Sequence, residues 1–497
     1  MKIEIDSPIN KYYVQTLCMI FFPGEKFSND SADEESQYLY VKTVADEAGV
    51  SSYAKLTYNG KTVTSEKRME NIPERTNERT LKLAVGLAVV NCGVELVGYR
   101  PAWGMLVGVR PSKVATEMLN SGLSKSKVKK ILTNDYLVIP KKASLAVDVA
   151  LYEKKITGKS APKDCSLYIS IPFCPSRCTY CSFVSYTSSR LLSLIPAYLD
   201  RLIKDIDTNF RIINDLGLNL KTVYIGGGTP TILDEKMLEL LLAKITSKVD
   251  VSTLEEFTLE SGRPDTITPE KLAIAKAYGV SRICVNPQTL SDEILSCIGR
   301  NHTVEDFYKA YEIAKNSQIK TINVDLIAGL PMDNFKNFSA TFDKVLKLQP
   351  ENITVHTFCV KKSAEIRKTN TNIYDASGTD TGKCVDYSQI KAIQNEYLPY
   401  YMYRQKNATG NYENVGFTKE DHEGYYNIYM MEELHSIFAV GAGAVTKLVD
   451  NSDSIQSSEK KIVRLFNQKY PYEYLNEDKS EEFYKSAVSF YEEHNMI

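Results

Sequence analysis

The chain has 497 residues, 43% hydrophobic and 25% charged, with a net charge of −2. This is ordinary for a soluble protein of about three domains and leaves no electrostatic footprint for nucleic acid. The longest apolar run, Leu83 to Val90, is too short to span a membrane, the charged opening Met1 to Asp6 does not read as a signal peptide, and ten cysteines without a dense framework suggest reduced thiols in a cytoplasm.

Residues 1–160 read as an N-terminal α+β domain. Tyr53 to Tyr58 and Thr62 to Lys67 flank Asn59-Gly60, a strong hairpin signal. A long helix is expected from about Glu74 to Asn91, with shorter helical segments after Ser112. From about residue 165 apolar runs alternate with amphipathic helices, as in βαβ units around a parallel sheet. Leu167–Ile171, Thr222–Ile225, Glu256–Leu259, Arg282–Val285, Thr321–Ile327 and Asn352–Thr357 are the expected strands. Thr268, Pro269 and Gly279 suit the cap, the first position and the C′ position of one intervening helix. The fold class is therefore α/β: an open three-quarter (β/α)6 barrel over 161–365, whose ligands should sit at the C-terminal strand ends. Residues 366–384, rich in Thr, Asn, Asp and Gly, read as a surface connection, and 366–497 as a mostly helical C-terminal domain.

The most informative segment lies at the end of the first barrel strand, where Cys174, Cys178 and Cys181 are spaced C-x3-C-x2-C. Three thiolates can hold three irons of a 4Fe-4S cluster and leave the fourth open to chelate S-adenosylmethionine (SAM). One electron can then break the sulfonium bond and free a 5′-deoxyadenosyl radical, the chemistry of radical SAM enzymes. The bland alternative is zinc, but structural zinc takes four ligands and shows paired spacings, whereas Cys165 stands before the strand.

After the second strand comes Gly226-Gly227-Gly228-Thr229-Pro230, which either admits a ligand close to the backbone or makes a tight turn. Glu260 ends the third strand. Its carboxylate could accept ribose hydroxyls, or be a solvated loop carboxylate.

Tyr168, the cysteine triad, Gly226 to Pro230, Glu260, Gln288, Arg300 and Asp325 together resemble the oxygen-independent coproporphyrinogen III oxidases. Glu260 to Thr268, Val285 to Thr289, Pro101 to Lys113 and Tyr401 to Asn407 resemble the HemZ, or coproporphyrinogen dehydrogenase, branch. The resemblance spans roughly residues 100 to 450. It implies that Cys174, Cys178 and Cys181 bind the cluster, while Tyr168, Gly227 and Glu260 contact its SAM. A second SAM is implied beside the first, at Tyr180, Gly228, Thr229, Gln288, Arg300 and Asp325. Arg300 and Asp325 could instead simply pair with one another.

In the haem-chaperone branch of the same superfamily, HemW, a histidine precedes a glycine-rich stretch; here Tyr426 stands at that place, with His422 and His435 nearby. Tyr can ligate haem iron in principle, so the chaperone remains an alternative. Arg404 and Lys406 could meet propionates at the barrel mouth through bidentate hydrogen bonds, or be ordinary exposed cations. The expectation is an oxidative decarboxylase turning coproporphyrinogen III into protoporphyrinogen IX, served by a low-potential electron donor such as flavodoxin or ferredoxin. A radical SAM enzyme acting on another tetrapyrrole is a third reading.

Overall fold

The structure is a computed structural model and describes residues 1–497 apart from 28–36, 74, 109, 159–160, 182, 184, 360–377, 406–407, 451–460, 495 and 497. Most of the expected 366–384 connection and Lys406 lie outside the described residues; Thr379–Gln394 is a helix.

Strands β1 (Lys2–Asp6), β2 (Gln37–Asp46), β3 (Gly49–Tyr58) and β4 (Lys61–Glu70) form a sheet in that order. The hairpin is where the sequence put it. Tyr58 pairs with Lys61, and Asn59 and Gly60 take the positive φ angles, 49° and 74°, that a two-residue turn of this hand requires. The long helix starts at Asn77 behind the Thr76 cap and runs to Val97. It is long and apolar enough to cross a membrane by length and composition, yet over half of its apolar window is buried. It packs on β3, β4 and the helix Lys11–Phe21, which is the position of a core helix.

The second sheet has 11 strands. Its centre is β5 (Asp164–Ile171), β6 (Asn219–Gly227), β7 (Glu256–Leu259), β8 (Arg282–Cys284), β9 (Thr321–Ala328) and β10 (Asn352–Thr357), all parallel and adjacent in chain order. All six expected strands are present, shifted by no more than three residues at either end. Thr268 caps the helix Pro269–Ala277 as its sequence suggests, accepting from the Lys271 N–H. The C-terminal region adds β11 (Leu398–Arg404), β12 (Glu413–Thr418), β13 (Ser436–Val440), β14 (Val445–Val449) and β15 (Ile462–Phe466). These do not form a layer of their own. β12 joins β10 antiparallel and β13 joins β5 parallel, so the chain returns to extend both edges of the six-stranded centre. The helix Pro140–Thr157 of the N-terminal region packs along β11.

A parallel sheet covered by helices usually reads as nearly continuous apolar strands. Here residues alternate instead. Leu167, Ile169, Val223, Ile225, Phe257, Ile283, Val324, Leu326, Ile353 and Val355 are buried apolar side chains. The intervening positions are polar and bond to one another: Ser166 with Thr222, Arg282 with Asn323 and Asn352, and Thr354 with Asn323. The sheet thus carries one apolar face under helices and one polar face turned into the barrel. Tyr426, on the helix Tyr425–Glu432, reaches that lumen and stacks on Tyr224, ring centroids 4.6 Å apart, and on Tyr168 at 6.1 Å.

Candidate functional site: a cysteine loop over a polar lumen

The cysteine loop leaves β5 at Ile171 and is pinned from both sides. Cys174 N–H donates to Tyr186 O, Tyr186 N–H to Pro172 O, and Thr179 N–H to Ile298 O. The end of β6 supplies the rest: Gly228 N–H donates to Ile171 O at 2.8 Å and Thr229 N–H to Phe173 O at 2.7 Å. A Cβ on Gly228 would lie 2.5 Å from Phe173 O, so no larger residue could approach the loop this closely. At Gly226 a Cβ would lie 2.6 Å from the Glu260 carboxylate. The glycine run is a close-approach device, and the structure shows it closing on the cysteine loop and leaving room for Glu260.

The three loop thiols are free and partly exposed, whereas Cys165, Cys284 and Cys384 are buried. Burial pushes the Cys174 thiol up to about 11, against a hydroxyl from Thr229 that reaches its sulfur at 3.3 Å. Burial raises Cys181 as well, and Cys178 adds to it. Among the described residues no three His, Cys, Asp or Glu side chains converge tightly enough to hold a single ion. A cube makes a different demand, one thiolate on each of three corners, and the loop offers three thiols that feel one another's charge. Two guanidinium groups, from Arg263 and Arg300, lie 3.8 and 3.9 Å from Cys178 Sγ, where a cluster with thiolate ligands would gather negative charge. The residues present fit the cluster.

Below the loop, Tyr168 stacks on Tyr224, and burial followed by the Glu260 charge raises its hydroxyl. Glu260 accepts the Gly227 N–H, yet burial and then the Asp325 carboxylate push its own carboxyl up to about 8. Asp325 behaves oppositely. Burial works against its charge, but His356, Asn323 and Thr354 outweigh it and hold Asp325 below the usual carboxylate range. Asn286 donates to Asp325 Oδ2 at 2.8 Å and accepts the Asp325 N–H.

Arg300 and Asp325 do not pair. Arg300 Nη2 donates to Gly262 O and Asn286 O at 2.8 and 2.7 Å, Nη1 faces Tyr180 Oη and Cys178 Sγ, and Nε faces His302 Nδ1. A guanidinium has five N–H groups, and this one directs each of its nitrogens at the protein. Gln288 is different. It is held at φ 69°, it is buried, and its Oε1 has no partner among the described residues. A strained backbone carrying an orphaned amide oxygen is the local signature of a ligand-facing group.

The structure therefore brings Cys174, Cys178, Cys181, Thr229, Tyr180 and Arg300 to one edge of the lumen, and Tyr168, Glu260 and Asp325 to its floor. Arg263, Asn286, His356 and Tyr224 also belong here and had no assigned role in the sequence. Arg263 lies inside the Glu260–Thr268 segment, so its place after a barrel strand was the available signal. Arg404 is not at the barrel mouth. It is 4% exposed, enclosed beside the Trp103 ring with Leu106 O and Asn411 O as acceptors, and burial lowers its pKa to about 10.

Residues 168–345 match the radical SAM superfamily model. The chain is 33% identical over 414 residues, covering 81% of this chain and 80% of its relative, to the oxygen-independent coproporphyrinogen-III oxidase-like protein HemZ of Bacillus subtilis. The haem chaperone HemW of the same organism is 35% identical over 198 residues, 39% of this chain and 51% of that protein, so that match spans about half of it. Among solved structures, the radical SAM coproporphyrinogen III oxidase HemN from Escherichia coli shares the fold. Its TM-score is 0.50 at 20% identity, covering 67% of this chain and 73% of that one. With the cysteine loop, the parallel barrel and a relative matched over four fifths of its length, the chain belongs to the oxygen-independent coproporphyrinogen-III oxidase-like, HemZ family of the radical SAM superfamily, whose 4Fe-4S cluster and SAM the loop is built to take.

Proposed function

We propose that the protein is a tetrapyrrole-directed radical SAM enzyme, and that its reaction is the oxidative decarboxylation of coproporphyrinogen III to protoporphyrinogen IX. The observation that carries this reading is the cysteine loop standing over a polar, tyrosine-lined lumen in a chain related to HemZ over most of its length. When bound, the cluster and SAM supply a carbon-centred radical that removes a hydrogen atom. Each propionate would lose that hydrogen from its β-carbon, then CO2 and one electron, leaving a vinyl group.

The chain's own residues bind and orient. Cys174, Cys178 and Cys181 would hold the cluster, with Tyr168, Gly227 and Glu260 around its SAM. Gln288, Tyr180, Gly228, Thr229 and Asp325 would face a second SAM or the substrate. Arg300, whose nitrogens are directed at the protein, would brace that wall. A low-potential carrier such as flavodoxin or ferredoxin would deliver electrons, in the cytoplasm.

The second reading is a haem-binding chaperone, favoured by the HemW matches. Against it, the place of the chaperone's histidine holds Tyr426, 5% exposed and stacked between rings. His422, half-buried, bonds Thr321, and His435, fully buried, bonds Ser166. Anaerobic incubation of reconstituted protein with coproporphyrinogen III, SAM and a reductant should yield protoporphyrinogen IX. No turnover, combined with stoichiometric tight haem binding, would replace the enzyme with the chaperone.

A further inference from the structure

Two guanidinium groups converge on one of the three cluster cysteines. Arg263, on the loop after β7, is only 4% exposed, and Asp265 holds it by Nε at 3.0 Å and Nη2 at 3.2 Å. That grip aims its outer edge at the cysteine loop: Nη2 donates to Ser176 Oγ at 2.9 Å, while Nη1 lies 3.5 Å from Ser176 O and 3.8 Å from Cys178 Sγ. Arg300 Nη1 lies 3.9 Å from the same sulfur, and its Nη2 donates to Gly262 O, the residue preceding Arg263. The two side chains therefore brace one another through a single loop. Cys174 and Cys181 meet hydroxyls instead, from Thr229 at 3.3 Å and Ser185 at 4.0 Å.

We propose that Arg263 sets the reduction potential of the cluster through Cys178, with Asp265 as the counterweight that moderates its charge. Reduction adds one electron from an external low-potential donor and takes the cluster from the 2+ to the 1+ state. No atom or proton moves, because a guanidinium stays protonated throughout. The reduced state carries one more negative charge beside a buried cation. Weak screening there stabilises it, and N–H···S hydrogen bonds act in the same direction. Asp265 opposes the effect, since its carboxylate lies against the same guanidinium. The asymmetry makes Cys178 the electron-withdrawn corner of the three.

The test is a redox titration of the anaerobically reconstituted full chain, followed by electron paramagnetic resonance, without substrate. Arg263→Gln should keep about four irons per chain and show a more negative midpoint. Its reduced-to-oxidised ratio at a fixed potential should fall about tenfold, which is about 59 mV for one electron. Arg263→Lys, which keeps the charge, should move less. Asp265→Asn, which unmasks the cation, should shift the midpoint the other way. An unchanged midpoint in an iron-replete Arg263→Gln overturns the proposal. Should Arg263→Gln fail to load iron, the sign of the Asp265→Asn shift decides: less negative supports it, unchanged or more negative overturns it. Iron content and potential need no tetrapyrrole, so this outcome is independent of which reaction the enzyme performs.

Discussion

Glu260, at the end of β7, and Asp325, on β9, are neighbouring carboxyls that the fold drives apart in charge: burial and Asp325 push Glu260 up to about 8, while His356, Asn323 and Thr354 keep Asp325 ionised. Without ligand, Glu260 is therefore mostly neutral at pH 7, and it is poised to ionise when a cation arrives.

This gives SAM binding a pH dependence with a defined sign. If Glu260 contacts SAM as proposed, its ionised form is the one that favours the cationic ligand and accepts ribose hydroxyls, so binding below pH 8 should release a proton and affinity should rise as pH approaches 8. Calorimetry in two buffers of different ionisation enthalpy reads that proton directly. Glu260→Gln should abolish the release and weaken SAM by roughly 1–3 kcal/mol. The same raised value acts on stability. Between the unfolded carboxyl's pKa, about 4.3, and the folded value of about 8, the unfolded chain ionises first, so stability falls as pH rises through that window. Glu260→Gln should flatten this slope in denaturant titrations at pH 5 and pH 8.

Cluster loading should depend on the loop thiols individually. Cys174→Ala, Cys178→Ala and Cys181→Ala should each fall well below about four irons per chain and lose SAM cleavage, since each removes one of the three proposed corner ligands. Cys297→Ala, at an exposed helix end, and Cys284→Ala, on β8, should retain the iron. Iron and sulfide analysis after anaerobic reconstitution distinguishes the two groups, and full cleavage in any loop variant would remove the assignment.

Haem titration should give no tyrosinate-ligated spectrum with the wild-type chain. A tyrosine ligates iron as the phenolate, and burial first, then the Tyr168 hydroxyl, drives the Tyr426 hydroxyl well above its ordinary pKa. Tyr426→Phe should leave the titration and SAM binding unchanged because the stack on Tyr224 survives. Tyr426→Ala should cost about 3–5 kcal/mol in denaturant unfolding by emptying a buried ring site.

The N-terminal region is tied to the extended sheet by a buried ion cluster. Lys142, fully buried, pairs with Glu413 on β12 and with Asp386 at 2.9 Å, and Trp103 Nε1 donates to Glu413 at 2.7 Å. Lys142→Met should destabilise the protein by about 3–5 kcal/mol, because it leaves Glu413 buried without its cation. The loss should be largely recovered in Lys142→Met/Glu413→Gln, a comparison that isolates the unpaired charge from lost packing.

Local signals determined a great deal. Asn59-Gly60 set the hairpin, Thr268-Pro269 set a helix start, and the parallel strands from Leu167 to Thr357 were readable as apolar runs alternating with amphipathic helical segments. The cysteine spacing named the cofactor because Cys174, Cys178 and Cys181 all lie within one short segment, in the three-ligand pattern that leaves one iron open. The tertiary structure decided what lies far apart in sequence. Arg300 meets Cys178 across 122 positions, and Trp103 meets Glu413 across 310. Strands β12 and β13 join opposite edges of one sheet, and nothing in either strand's own residues says which neighbour it will take. The glycine run and Arg404 show the physical reason. A Gly-Gly-Gly triplet is compatible with a ligand or a turn until Phe173 O is seen 2.5 Å from where a Cβ would stand, and an arginine reads as an exposed cation until the Trp103 ring and the carbonyl of Leu106 enclose it. Periodicity reports which face of an element is buried; what that face is buried against depends on the arrangement of all the others.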